Sequence, residues 1–435
     1  MKRSIAVVLG AAATAISLVL AGCGSGSDSS DSSSGPVTLT LAGWSLSTTP
    51  EFKTLADGFH AAHPDVTVQL KEYDATNYDT QMIADLAAGK APDIYVQKNL
   101  KNFYTYQHGK QLLDVSDVAK GLGDKVGGLS DYQLGGKTYA IPYRQDSWVL
   151  FYNKDLFGKA GVAVPDGSWT WDDYVSAAKQ LTARLKVAGS KALGDYQHTW
   201  QSTVQGFALA QTSGADLTSG NFSYLKPFYT RALDLQSSGA QVSLGDATTN
   251  SLTYQAEFGK QQAAMMLMGT WYIATLLAQQ SSGDADQFQW GMAPAPQSDK
   301  STTGTSATPV TFGDPTGLGI NPKLGKGKVA AAKQFLAYAA GEDGAKALAG
   351  IGITPADSAA VTDTFFALKG MPTDDVSKFA FAKHDTKPEN PVSQYTAGLQ
   401  NVLNDLHTAV MSGSKPVDAA ISEAQSRAKN EVLNK

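Results

Sequence analysis

The sequence predicts an α/β protein built as two lobes with a cleft between them. Three observations lead there. Strand and helix patterns alternate from Val37 to Val96, which builds a parallel sheet. A polar interval, Tyr143 to Asp146, then separates two strand-like runs, as where a chain crosses between lobes. Finally, 435 residues with 42% apolar and 17% charged content leave room for two or three ordinary domains.

The first 22 residues read as a leader rather than as part of the fold. Lys2-Arg3 is a basic start, and Ile5 to Leu20 is an apolar run too short and too interrupted for a comfortable span. Leu20-Ala21-Gly22-Cys23 resembles the bacterial lipobox, in which cleavage precedes a Cys that takes up diacylglycerol. Cys23 is the only Cys in the chain, so disulfides are excluded. Residues 23–36 then give a lipidated Cys and a Gly/Ser/Asp tether that buries nothing. Cleavage removes Lys2 and Arg3 and takes the net charge from −5 to −7. An acidic chain lacks the basic surface that nucleic-acid binding requires.

Val37 to Leu41 is expected to be the first strand. Glu51 to His63 has Phe52, Leu55, Ala56 and Phe59 at helical spacing, and Pro64 ends it. Val66 to Leu70 is a second strand. Asn77 to Ala88 is a helix closed by Gly89, and residues 92–96 form a third strand. In open α/β sheets ligands lie beyond the carboxyl ends of the strands. Those ends here are Trp44-Ser45 and Gln97-Lys98-Asn99.

Gly135-Gly136 is a turn, Thr138 to Ile141 a strand, and Pro142 is expected to stop its ladder. Trp148 to Tyr152 reads as a strand buried on both faces. Thr170 is a good N-cap ahead of Trp171-Asp172-Asp173, with Trp171 expected to pack rather than bind. Tyr196 to Gln201 is polar and aromatic. Helical patterns cover 207–210 and 225–235. Residues 258–271 run into Gly269 and Trp271, where a strand ends and a Trp is presented. Gln289 to Ala293 and 312–321 are strands on either side of a Pro/Ser/Thr-rich loop. Four helical patterns follow, at 329–340, 344–349, 394–411 and 417–432.

Familiar catalytic patterns are missing. No H-E-x-x-H, G-x-S-x-G or dinucleotide fingerprint occurs. Gly136-Lys137-Thr138 mimics a P-loop end, but Asp131 stands where its first Gly belongs. His60 and His63 lack a partner carboxylate motif, and a helix end explains them. The chain does carry aromatic and planar polar groups. Sugars present apolar C–H faces that stack on rings and hydroxyls that need planar donors and acceptors. Trp44, Trp200 and Trp271 supply faces, while Trp148 starts a buried run and is more suited to packing. Asn99, Arg144, Asp146 and Gln201 supply the polar groups.

Several of these segments carry a resemblance. Gly136-Lys137-x-Tyr139-x-x-Pro142, Tyr152-Asn153-Lys154-Asp155-Leu156-Phe157, Trp169-Thr170-Trp171-Asp172-Asp173, the 258–271 box and the 312–321 return strand resemble the extracellular solute-binding lipoproteins of carbohydrate ABC importers. The maltose-binding-protein-like branch is the nearest. The resemblance spans roughly 37–430. It implies a periplasmic-binding-protein-like fold with a first lobe of 37–144 plus 291–325 and a second of 145–290 plus 326–435. Crossings are expected near 143–147 and 290–325, with hinge closure around ligand.

It also implies a ligand set of Trp44, Ser45, Gln97, Asn99, Arg144, Asp146, Trp200, Gln201, Trp271, Asp314 and Tyr395, in which Asp146 occupies the place of an acidic sugar contact. No catalytic residue, metal or cofactor is implied. The implied partners are a carbohydrate and ABC permease subunits, with a monomer anchored by lipid at the extracytoplasmic face. Two alternatives stay open, a lipid-anchored glycoside hydrolase and a lipoprotein that shows ligand to a receptor. Carboxylates are numerous, and a hydrolytic pair at a sugar's width is compatible with the sequence.

Overall fold

The computed structural model describes residues 35–47, 49–75, 77–357 and 361–434. The leader, Cys23 and nearly all of the tether lie outside the described residues. Two sheets, each with its own apolar core, form the two lobes.

The first sheet begins with β1 (Val37–Trp44), β2 (Val66–Tyr73) and β3 (Ile94–Gln97), all parallel. The helix Glu51–Ala62 joins β1 to β2 and buries Phe52, Leu55, Ala56 and Phe59, the face its spacing predicts. A hairpin of β4 (Gln133–Leu134) and β5 (Lys137–Thr138) turns on Gly135 and Gly136, both at positive φ. β6 (Ile141–Gln145) follows.

Pro142 does not stop a ladder as expected; it lies inside β6. The reason is the sheet order, in which β6 is an edge strand where a missing N–H costs no ladder bond. A register shift in its partner, between Thr316 and Gly317, faces it.

The second sheet is laid down by β7 (Trp148–Asn153), β8 (Leu193–Tyr196), β9 (Ala263–Gly269) and β10 (Trp290–Pro294), in the order β10-β7-β9-β8. Every residue of β7 is buried, as a central strand covered on both faces must be. The chain then runs through β11 (Val310–Phe312) and returns as β12 (Pro315–Ile320), which inserts antiparallel between β3 and β6. A short β13 (Asp385–Lys387) pairs with β11.

The lobe boundaries differ from those expected in two places. β10 belongs to the second sheet, so the return crossing is not spread over 290–325 but lies at 313–314. The helix Lys326–Ala340 belongs with the first lobe, and the helix Glu342–Ala349 lies between the cores, with Leu348 in the first and Ala345 and Ala349 in the second. Their Ala331, Phe335, Leu336 and Leu348 enter the first core, against β1, β6 and the helix Glu51–Ala62. Their Ala-rich faces allow close seating on a sheet, and sequence order alone does not say which sheet. The chain crosses a third time after Ala356, the last residue of the first core; from Val361 on, every buried apolar residue belongs to the second. The helices Thr396–Met411 and Val417–Arg427 close the second lobe.

The first two crossings touch backbone to backbone. A Cβ at Gly313 would stand 2.1 Å from the Asp146 carbonyl oxygen, so only glycine fits there.

Candidate ligand cleft

The carboxyl ends of β1 and β3 and the end of β6 lie on the side of the first sheet that faces the crossings. Trp44 ends β1 and packs edge-on against Phe52 and Tyr78, each at 5.1 Å between centroids. The Lys98 ammonium stands 4.7 Å over the Trp44 ring and donates to the Ala75 carbonyl at 2.7 Å. Burial pulls Lys98 below the usual lysine range. Ser45 continues the turn at φ +51, in the left-handed region that non-glycine residues seldom take. The Asn99 side chain accepts from the Lys101 N–H at 3.1 Å, a local turn bond. Gln97 ends β3 at 1% exposure, and neither polar atom of its amide finds a hydrogen-bond partner among the described residues.

At the end of β6 a buried charge chain runs toward the second lobe. Arg144 Nη1 lies 2.5 Å from Glu51 Oε2, and its Nε lies 2.9 Å from Asp146 Oδ2. The Tyr143 hydroxyl donates to Glu51 at 2.9 Å. Burial works against the Arg144 cation, but Glu51 and Asp146 outweigh it and hold it above the ordinary range. Burial pushes the Asp146 carboxyl up, opposed by Arg144 and by a hydrogen bond from Thr270. That bond, Thr270 Oγ1 to Asp146 Oδ1 at 2.9 Å, reaches the second lobe.

Thr270 sits between Gly269 and Trp271, at the end of β9. Gly269 has no positive φ, so no turn requires a glycine there. The Trp271 ring lies on its Cα instead, and a Cβ there would meet Trp271 Cζ3 at 1.9 Å. Trp271 lies edge-on to Trp148 at 5.5 Å and 6.5 Å from Trp200, with Tyr254 5.6 Å from Trp200. Trp200 is 42% exposed, the most exposed aromatic large enough to stack on a ligand. His198 abuts Trp200 at 4.5 Å, and burial drives its imidazole down to about 4, so it is neutral near pH 7. Trp148 is buried and stacked on Phe312 at 4.9 Å, which makes it a packing residue.

The structure thus brings together Arg144, Asp146, Trp271 and Trp200, with Trp44 reached through Lys98. Three other expected residues make contacts within the protein. Asp314 is buried at the return crossing, where its carboxylate accepts from Leu100 N–H, Glu389 N–H, Asn390 N–H and Asn390 Nδ2, the last at 2.6 Å. It ties loops of both lobes to the crossing and has little capacity left for a ligand. The Gln201 amide donates to Gln400 Oε1. Tyr395 packs on the second core at the start of the helix Thr396–Met411, and its N–H donates to Ser393.

The fold and cleft agree with what the chain is similar to. A family model described as "Bacterial extracellular solute-binding protein" matches residues 45–346. The chain belongs to that family. This solute-binding protein is 29% identical over 163 residues to a putative binding protein of Brucella abortus (strain 2308), covering 37% of this chain and 38% of that one. It is 31% identical over 183 residues to the sn-glycerol-3-phosphate-binding periplasmic protein UgpB of Escherichia coli (strain K12), covering 39% and 40%. The alignments therefore span well under half the length of these curated relatives. The crystal structure of a sugar transporter from Rhizobium etli, in an open conformation, superposes with a TM-score of 0.76 at 30% identity, covering 90% of this chain and 99% of that chain. The two-lobed periplasmic-binding-protein-like architecture is thus the family's own.

Sequence reasoning missed several cleft residues of this solute-binding protein. Glu51 reads as an ordinary helix start, and nothing local says that it is fully buried against Arg144. Lys98 lies inside the flagged Gln97-Lys98-Asn99 triplet but was passed over for its neighbours. Thr270 was hidden between two more conspicuous residues. Tyr254 and His198 carry no spacing signal. His60 Nδ1 meets the Val66 carbonyl at 2.7 Å and His63 packs on Phe59, as a helix end would have it. Among the described residues no three His, Cys, Asp or Glu side chains are placed to hold a metal, and no helix is long and apolar enough to cross a membrane.

Proposed function

We propose that this protein captures a sugar or oligosaccharide outside the cytoplasm and delivers it to ABC permease subunits, held at the membrane by a lipid on Cys23. The observation that carries the reading is the pair of Trp200 and Trp271, 6.5 Å apart at the mouth of the second sheet, one of them 42% exposed. Exposed indole faces beside buried, hydrogen-bonding polar groups suit a ligand with apolar faces and hydroxyl edges. Charge supports a neutral ligand. Arg144 is held by two carboxylates and so is not free to neutralise an anion. Gln97 adds a buried amide whose donors and acceptor a hydroxyl would satisfy.

The family is one of binding proteins, and a transport role needs no chemistry in this chain. The test is calorimetric titration with a panel of neutral mono- and oligosaccharides, with the sugars recovered afterwards. Saturable binding with the sugar returned intact is expected. Cleaved sugar would favour the hydrolase reading, and no binding across the panel would overturn the proposal. The anchor is tested separately: Cys23→Ser should leave no mature, membrane-bound species. A cleaved, membrane-bound form of that variant would remove the anchor and leave the sugar reading intact.

A further inference from the structure

Behind the aromatic wall of the second lobe lies a second pocket, of about 370 Å³ including a part open to solvent. The room it leaves for the centre of a water-sized sphere is only about 30 Å³, which limits an occupant to a few heavy atoms. Trp171 and Phe228 form two of its walls, set nearly perpendicular at 78°. In the corner between them sits Arg231, its guanidinium 4.5 Å from the Trp171 ring centre and 4.7 Å from that of Phe228. These contacts satisfy the cation through the ring faces but leave its N–H donors unused. Among the described residues Arg231 makes no hydrogen bond and no ion pair. The other arginines among the described residues, Arg144, Arg184 and Arg427, each pair with a carboxylate or a carbonyl.

Burial pulls the Arg231 guanidinium down to about 10, only partly offset by Asp172 and Tyr174. Tyr174 donates a hydrogen bond to the buried Asp195, and burial drives that carboxyl up to about 7. Besides the polar Gln197 and Thr203, the lining includes the apolar Val204, Leu235 and Leu267.

From this geometry we infer that the pocket is a binding site for a small monocarboxylate of formate or acetate size, gripped by Arg231 with its carbon end toward the apolar Val204, Leu235 and Leu267. A planar carboxylate matches the guanidinium fork with two parallel hydrogen bonds, which a spherical ion does not. The pocket also touches the segment that presents Trp200. Gln197 and Thr203 line it, and they brace the loop between them: Gln197 Nε2 donates to Thr203 Oγ1 at 2.9 Å, and Thr203 Oγ1 donates to the Trp200 carbonyl at 2.7 Å. Occupancy would stiffen that loop from behind.

The test uses the purified full chain at constant ionic strength, titrated with sodium formate and sodium acetate and followed by melting temperature and tryptophan emission. A saturable rise in melting temperature with a change in emission is expected for wild type. Arg231→Gln should weaken it at least tenfold, and Arg231→Lys should retain part of it. Ala232→Leu, which fills the pocket from the same helix without touching the guanidinium, should also abolish it and serves if Arg231→Gln fails to fold. Chloride at equal concentration should give no saturable response. An equal response in wild type and Arg231→Gln, no saturation in wild type, or benzoate binding as well as acetate would each overturn the inference.

Discussion

The Thr270 hydroxyl donates to Asp146 Oδ1 at 2.9 Å while Arg144 Nε holds Oδ2 at 2.9 Å. One carboxylate at the first crossing thus joins the end of β9 to the buried Glu51–Arg144 pair. Asp146→Asn keeps a bond to Thr270 but breaks a buried ion pair, which typically costs a few kcal/mol, roughly 3–5. Thr270→Val removes one neutral-to-charged hydrogen bond, worth roughly 1.5–3 kcal/mol. Asp146→Asn is therefore expected to lose more stability, measured by urea unfolding. Equal losses would mean that the Arg144 contact contributes nothing to the fold.

Gln97 makes the opposite prediction for stability and binding. A buried amide with no partner is a net cost to the free protein, so Gln97→Met should leave its melting temperature unchanged or higher. If the amide meets a ligand hydroxyl, the same change lowers sugar affinity about tenfold. Calorimetry of the variant against the best ligand decides it. Affinity equal to wild type would place Gln97 outside the ligand's reach.

Gly269 and Trp271 should behave as one unit. A methyl at 269 would stand 1.9 Å from the indole, so Gly269→Ala must displace the ring. We expect Gly269→Ala and Trp271→Ala to weaken sugar binding to the same degree. Trp200→Ala should weaken binding with a smaller loss of stability, because that ring is already 42% exposed. A Gly269→Ala variant with native affinity would show that the ring's position does not matter to the ligand.

The half-buried Glu389 and the buried His407 should bend the pH dependence of stability in opposite directions. Burial beside Asp314 raises Glu389 from 4.5 to about 7, against a Ser202 hydrogen bond and Lys101. Between those values the folded state binds more protons, so Glu389 makes stability fall as pH rises. Burial lowers His407 from 6.5 to about 4, so between those values the unfolded state binds more protons and stability falls as pH falls. Relative to wild type, Glu389→Gln should gain stability as pH rises from 4.5 to 7. His407→Gln should gain as pH falls from 6.5 to 4. Each slope is at most about 1.4 kcal/mol per pH unit. Urea unfolding at a series of pH values reads both, and parallel curves for variant and wild type would contradict the assignment.

The two-lobed fold was legible because its signals are local. The alternation from Val37 to Val96, the capping box at Thr170 and Asp173, and the apolar run Trp148 to Tyr152 of β7 each depend on neighbours within a turn or a strand. The errors arose where a distant partner decides. Pro142 is tolerated because β6 lies at an edge, which depends on where β12 inserts. The helix Lys326–Ala340 follows β12 back to the first sheet, and its sequence fits either lobe. In the cleft the conspicuous tryptophans were visible. Asp314 looked like a ligand contact because a small acidic loop residue carries no mark of the four donors that converge on it.

The contact between Gly313 and the Asp146 carbonyl has a mechanical consequence. Two connections pressed together over bare backbone act as a laminated strip, stiff against sliding and compliant against bending. Any hinge motion between the lobes must therefore bend these two connections together near residues 146 and 313. A single side chain at 313 would act as a wedge, prising the laminae apart and holding the jaws at a fixed gape.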